Sequence, residues 1–191
     1  RGYSGTAVYT RLSPIFAETT FGDPFLDGEG RIVLIELEAF YFFNVYFPNG
    51  KMNEERLKFK MEFYKRFLDL MESFREKKPI VVCGDVNTAH TELDLSRPKE
   101  NANISGFLPS ERKWMDTLVD AGYHDTFRLF EKEGGHYSWW DMKSRARERN
   151  VGWRIDYFFV SDELKKNVKR AWIETDVYGS DHCPVGIELA F

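Results

Sequence analysis

The chain has 191 residues, enough for one domain with a sizeable core and tight for two. Its 17 Phe, 9 Tyr and 5 Trp against 14 Gly and 7 Pro exclude a disordered, collagen-like or low-complexity sequence. With 27 Lys and Arg against 31 Asp and Glu the formal charge is −4, which excludes bulk attraction to nucleic acid or to a membrane surface, so any polyanion must be met locally. The longest fully apolar run, Ala39 to Phe43, falls far short of the ~20 residues of a bilayer span, and no secretory segment opens the sequence. No membrane partner is expected. Cys83 and Cys183 are too few for a disulfide framework, which points to a reducing compartment: cytoplasmic, or nuclear in a eukaryote.

In chain order, Ser4 to Thr10, Arg31 to Leu37 and Ala39 to Phe47 are rich in β-branched and aromatic residues and are predicted as antiparallel strands. The acidic stretch between Phe16 and Glu29 is predicted as a solvent-facing loop. From Asn53 to about Glu76 the apolar period becomes helical, with Asn53 as N-cap and Glu54 and Glu55 complementing the helix dipole. Ile80 to Cys83 is a short β-branched run suited to a strand buried on both faces. A polar loop from Thr88 to Ser110, a helix from about Glu111 to Ala121, and strands at Ile155 to Val160, Ala171 to Val177 and Val185 to Leu189 complete a mixed α/β layered fold. The start, Arg1-Gly2-Tyr3-Ser4, has no Met and runs straight into a strand-like stretch, and so reads as a cut edge.

The chemistry-bearing residues gather at strand ends. Gly84-Asp85-Val86-Asn87 puts a carboxylate and an amide on one side of an extended chain, or else is an Asx turn closing a strand. Ser180-Asp181-His182-Cys183-Pro184 sets a carboxylate beside an imidazole, and Trp153-Arg154-Ile155-Asp156 brings a third acid into a strand start. Hard oxygen donors suit Mg²⁺ or Mn²⁺, and His beside Asp suits charge stabilisation or proton transfer; together they suggest metal-assisted phosphoester hydrolysis. Asn44 to Gly50 ends a strand with Tyr46 and Asn49, which by itself reads as a strand-to-helix connection. Lys143 to Arg154 carries five bases against one acid, flanked by Trp139, Trp140 and Trp153. It is either a solvated charged loop or a phosphate-contacting and stacking surface.

Four segments, Asn44-Val45-Tyr46-Phe47-Pro48-Asn49, Gly84-Asp85-Val86-Asn87-Thr88-Ala89-His90, Asn150-Val151-Gly152-Trp153-Arg154-Ile155-Asp156-Tyr157-Phe158 and Ser180-Asp181-His182-Cys183-Pro184, occur in the order of the motifs of the exonuclease III family of apurinic/apyrimidinic endonucleases, which the sequence closely resembles over essentially its whole length. The resemblance implies a four-layer α/β sandwich of two packed mixed sheets flanked by helices, truncated at its N-terminal side. It implies a Mg²⁺-dependent nuclease, with Mn²⁺ as an alternative, that cuts double-stranded DNA 5′ to an abasic site, with some 3′-to-5′ exonuclease or 3′-phosphodiesterase activity. In this reading Asp85 positions or deprotonates the attacking water, Asn87 orients the same centre, and His182, oriented by Asp156, stabilises charge on the phosphate. Tyr46 bonds the phosphate or assists the leaving group, with Asn49 nearby. Asp181 is a metal ligand, and Asp85, Asn87 and His182 form a second candidate metal site. Trp139, Trp153 and Ile155 wall a pocket for the flipped-out baseless sugar. Asn49, Asn101, Lys143, Arg145, Arg147 and Arg149 contact DNA.

The family's N-terminal segment, with an Asn on its first strand and a metal-binding Glu, has no counterpart here. The expectation is that this segment is supplied in cis or in trans, that the complete protein is a monomer, and that the 191 residues alone bind metal weakly and do not cut. The rival readings are a phosphoesterase of lipid or inositol phosphates and a DNA-binding fragment without catalysis.

Overall fold

The computed structural model describes residues 3–191. Strands β1 (Phe16–Glu18), β2 (Ile32–Glu36) and β3 (Tyr41–Val45) form an antiparallel meander, with the short helix α1 (Pro24–Asp27) between the first two. The long helix α2 (Glu54–Arg75) follows, then β4 (Ile80–Asp85), parallel to β3. After short helices α3 (Pro98–Asn101) and α4 (Pro109–Asp120) come β5 (Tyr123–Asp125), α5 (Thr126–Phe130), the two-residue strands β6 (Trp139–Trp140) and β7 (Gly152–Trp153), then β8 (Asp156–Ser161), β9 (Val168–Ile173) and β10 (Val185–Leu189). The main sheet has six strands in the order β1-β2-β3-β4-β8-β5, and β9-β10 and β6-β7 make two-stranded sheets. The fold is mixed α/β, as the sequence predicts.

Alternation in the central strands decides the two faces. Phe43, Val82 and Phe159 point to the side covered by α2 and α4, where Phe63, Tyr64, Phe67, Met71, Trp114, Met115 and Leu118 complete the larger core. Their neighbours Phe42, Val81 and Phe158 point the other way, onto Ile187 and Leu189 of β10. The predicted helix from Asn53 forms as read: the Asn53 side chain accepts from the Arg56 backbone N–H at 2.8 Å. Four expectations need correction. Ser4 to Thr10 forms no ladder and is tied to β3 only through Asn44, whose side chain donates to the Ala7 carbonyl at 2.9 Å. The acidic stretch after Phe16 contributes an edge strand and a helix turn. The loop after Thr88 carries α3, and the strand predicted from Ala171 begins at Val168 and ends at Ile173.

Gly84 is demanded by the close approach of β3 and β4. Its φ is +136°, and a Cβ there would stand 1.9 Å from the Val45 carbonyl oxygen. The strand can thus bring Asp85 directly beside the end of β3.

A buried ionic cluster lies behind the site. Arg154, 1% exposed, donates to both Asp125 carboxylate oxygens at 3.1 and 2.6 Å and to Asp94 at 2.8 Å, and Arg128 also reaches Asp94 at 2.5 Å. Burial opposes the charge of Asp94, but the two guanidinium groups prevail and hold its pKa at about 2. A carboxylate with a depressed folded-state pKa contributes stability above its unfolded value and loses it as pH falls through the folded one. The window here runs from about pH 4 down to pH 2, and the contribution is about 2 kcal/mol. In urea titrations the stability gap between the parent and Asp94→Asn is expected to narrow by that amount between pH 5 and pH 2; a constant gap would refute the assignment.

Candidate active site

The site is assembled where β3, β4 and β8 end together. Asp85 and Asp156 are register partners across β4 and β8, and the Phe47 N–H donates to the Asp85 carbonyl at 2.9 Å, so three motifs distant in sequence meet at one sheet edge. A cavity of about 340 Å³ opens there, lined by Tyr46, Asn49, Lys51, Asp85, Asn87, Gly106, Trp139, Trp153, Ile155, Asp181 and His182.

Asn87 adopts a left-handed conformation, φ 56°, open to Asn at little cost. Its backbone N–H donates to one Asp85 oxygen at 2.7 Å and its side-chain amide to the other at 3.0 Å. The same amide also donates to the Phe47 carbonyl at 3.0 Å, and its oxygen accepts from Asn49 at 2.8 Å. Beneath the loop, the fully buried Lys60 ammonium donates to the Asn87 carbonyl, Thr88 Oγ1 and Glu111 at 2.8, 2.9 and 2.6 Å. Burial and the field of Asp156 push Asp85 up to about 7, against His182, the Asn87 N–H and Lys60, which favour its charged form.

His182 Nδ1 bonds Asp156 Oδ2 at 2.8 Å, and the buried Ser138 hydroxyl donates to the same oxygen at 2.6 Å while accepting the N–H groups of Ile155 and Asp156 at 3.2 Å each. Desolvation opposes a charged His182, but the bond to Asp156 and the fields of Asp156, Asp85 and Asp181 outweigh it and raise its pKa to about 9. Asp181 accepts from Trp139 Nε1 at 3.0 Å. Burial works against its charge, yet the Trp139 bond and His182 hold its pKa below the usual carboxylate range. Tyr46 lies under the Arg31 guanidinium, 4.8 Å from its ring centroid, and Arg31 also donates to the Tyr46 carbonyl at 2.9 Å. Burial first, then Asp85, raises the pKa of the Tyr46 hydroxyl and keeps it protonated.

The catalytic and pocket residues singled out in the sequence therefore converge, with Asp156 behind His182. The DNA-contact residues divide. Asn49 belongs to the site itself, bonded to Asn87. Asn101 lines an adjoining cavity of about 330 Å³ that shares Lys51, Trp139 and Trp153 with the first, and its amide donates to the Arg97 carbonyl at 2.9 Å. Lys143 and Arg145 stand exposed, and exposed Arg149 donates back to Ser144. Arg147 is engaged within the protein. Its guanidinium donates to the carbonyls of Thr175, Val177 and Ser180 at 2.8, 2.6 and 3.4 Å and lies over the Trp140 and Tyr178 rings, so it straps down the loop that carries Asp181 and His182. Arg147→Ala is expected to speed amide exchange over residues 175–182 and leave the salt dependence of DNA binding unchanged. A salt slope lower by about one with unchanged exchange would make Arg147 a phosphate contact instead.

Sequence reasoning missed Lys51, Ser138 and Gly106. Ser138 directly precedes Trp139 and Lys51 stands two positions after Asn49, but neither residue type signals a role without its neighbours in space. Cys83 and Cys183 are free thiols, and burial pushes their pKa values up to about 12 and about 11, which makes them structural.

Residues 1–182 match the endonuclease/exonuclease/phosphatase family, and the chain belongs to that family. It is 42% identical over 186 residues to an exodeoxyribonuclease of Bacillus subtilis (strain 168), covering 97% of this chain and 74% of that protein. It is 40% identical over 192 residues to a DNA-(apurinic or apyrimidinic site) endonuclease of Dictyostelium discoideum, covering 98% of this chain and 53% of that protein. An AP endonuclease from Archaeoglobus fulgidus shares the fold with a TM-score of 0.85 at 22% identity over 94% of this chain and 72% of that one. The chain thus spans about half to three quarters of the length of these relatives.

Proposed function

We propose that this chain carries the reaction centre of a metal-dependent DNA-repair nuclease that hydrolyses the phosphodiester 5′ to an abasic site. One observation carries the reading: Asp85, Asn87 and His182, the last held by Asp156 behind it, face one cavity walled by Trp139, Trp153 and Ile155. The named relatives among nucleases and AP endonucleases support it.

The chemistry follows from the protonation states. Asp85, pushed up to about 7, accepts a proton from water near neutrality, and the water oxygen bonds to phosphorus. His182, charged below about pH 9, faces the growing negative charge on a phosphoryl oxygen. The bond from phosphorus to the 3′ oxygen of the preceding nucleotide breaks; Tyr46, held protonated, hydrogen-bonds that oxygen as it leaves, and the oxygen takes a proton from solvent to become the 3′-hydroxyl while Asp85 returns its own proton to solvent. The indole walls leave room for a sugar without a base.

Asp181 offers one hard oxygen donor suited to Mg²⁺ or Mn²⁺. Among the described residues no group of three His, Cys, Asp or Glu is placed to hold an ion, whereas Mg²⁺ takes six ligands. Mg²⁺ keeps several waters and is held by one or two carboxylates together with substrate phosphate, so Asp181 would supply one protein ligand and the ion would neutralise charge on the phosphate.

The test is incision of a duplex with one abasic site by the full-length protein, with Mg²⁺, with Mn²⁺ and with chelator. Metal-dependent cutting that leaves a 3′-hydroxyl on the 5′ side of the lesion is expected. Turnover of inositol or lipid phosphates with no cutting of the duplex would overturn the reading.

A further inference from the structure

The two indoles of the cavity are fixed from behind and share one neighbour, Lys51. Trp139 and Trp153 are cross-strand partners in β6 and β7. The first is pinned by its N–H bond to Asp181. The second backs onto Gly106, φ +103°, where a Cβ would stand 3.1 Å from the ring and 3.3 Å from the Asn87 carbonyl. Neither ring can withdraw without disturbing the residues that hold the chemistry. The Lys51 ammonium lies 5.2 Å from both ring centroids. Its backbone N–H is anchored to the Asn49 side chain at 2.8 Å, while the residue is otherwise exposed.

A cation over an indole face is attracted by the ring's quadrupole. A nucleobase entering the cavity needs the same faces for stacking, and to reach them it must drive the ammonium off two rings at once. A sugar without a base has no π face and leaves the lysine in place. We infer that Lys51 is a specificity-determining residue: its ammonium occupies the indole faces that a flipped-out base would need, so the cavity admits a baseless sugar and disfavours an intact nucleotide. The inference rests on the abasic-site reading above.

The test compares kcat/KM of the full-length protein on two duplexes that differ at one position, one holding a stable abasic analogue and the other an intact mismatched nucleotide. Lys51→Ala is expected to lower the preference for the abasic duplex about tenfold, equal to about 1.4 kcal/mol, through a gain on the intact one. Lys51→Arg, which keeps a cation able to lie on the rings, is expected to restore most of the preference. Unchanged preference in Lys51→Ala, or an equal rise in KM on both duplexes with a smaller salt slope, would overturn the inference; the latter would make Lys51 a phosphate contact. Parent protein that leaves the abasic duplex uncut would overturn the function itself, and the inference with it.

Discussion

Asp85→Asn is expected to lower kcat for abasic-site incision by at least ~10³-fold while the Kd for abasic duplex stays within a fewfold of the parent value. The substitution changes almost no volume, so the cavity keeps its shape. What it removes is the group able to take a proton from water near neutral pH. It also replaces one acceptor with a donor opposite Asn87, whose side-chain amide now donates to Asp85 at 3.0 Å, so the orientation of the loop is weakened too. Single-turnover kinetics with saturating protein, alongside equilibrium binding, separates the two effects. A large loss of affinity with an unchanged rate for bound DNA would assign Asp85 to binding. In the parent protein the same assignment fixes the pH profile. Single-turnover rates measured from pH 5 to pH 10 are expected to rise as Asp85 loses its proton around pH 7 and to fall as His182 loses its own around pH 9; a profile flat across pH 7 would argue against Asp85 as the base.

Arg154→Met is expected to cost about 3–5 kcal/mol of folding stability, a large part of the 5–15 kcal/mol of an ordinary domain. Arg154 is the common partner of Asp94 and Asp125, both buried, and the methionine would leave Asp125 without its guanidinium and Asp94 with Arg128 alone. The guanidinium donates to both oxygens of Asp125, a geometry lysine cannot reproduce, so Arg154→Lys recovers only part of the loss. Because Arg154 lies between Trp153 and Ile155, the activity that remains should fall as well. Denaturant unfolding measures the first effect; a midpoint equal to that of the parent would show the cluster to be dispensable.

The sequence alone determined those features whose signal is local. The 3.6-residue period after Asn53 can be satisfied only by a helix with a wide buried face, and Ile80 to Cys83 is short, branched and apolar enough to be legible as a central strand. The motifs at Asp85, Asp156 and His182 were legible because their residue types and order are unusual together. Tertiary structure decided the rest. Ser4 to Thr10 has strand composition, but a strand exists only where a partner offers a free ladder, and here β3 offers it a single residue, Asn44, through its side chain and its carbonyl. The basic run after Lys143 read either as a solvated loop or as a phosphate-contacting surface, and neither reading showed that Arg147 binds carbonyls 28 to 33 residues away, a fate set by how the loop after β9 folds back. Lys51 has no signature in the chain at all. Its place over two indoles exists only because Trp139 and Trp153 pair across short strands beside the end of β3, and a role defined by the faces of two distant rings is written in packing.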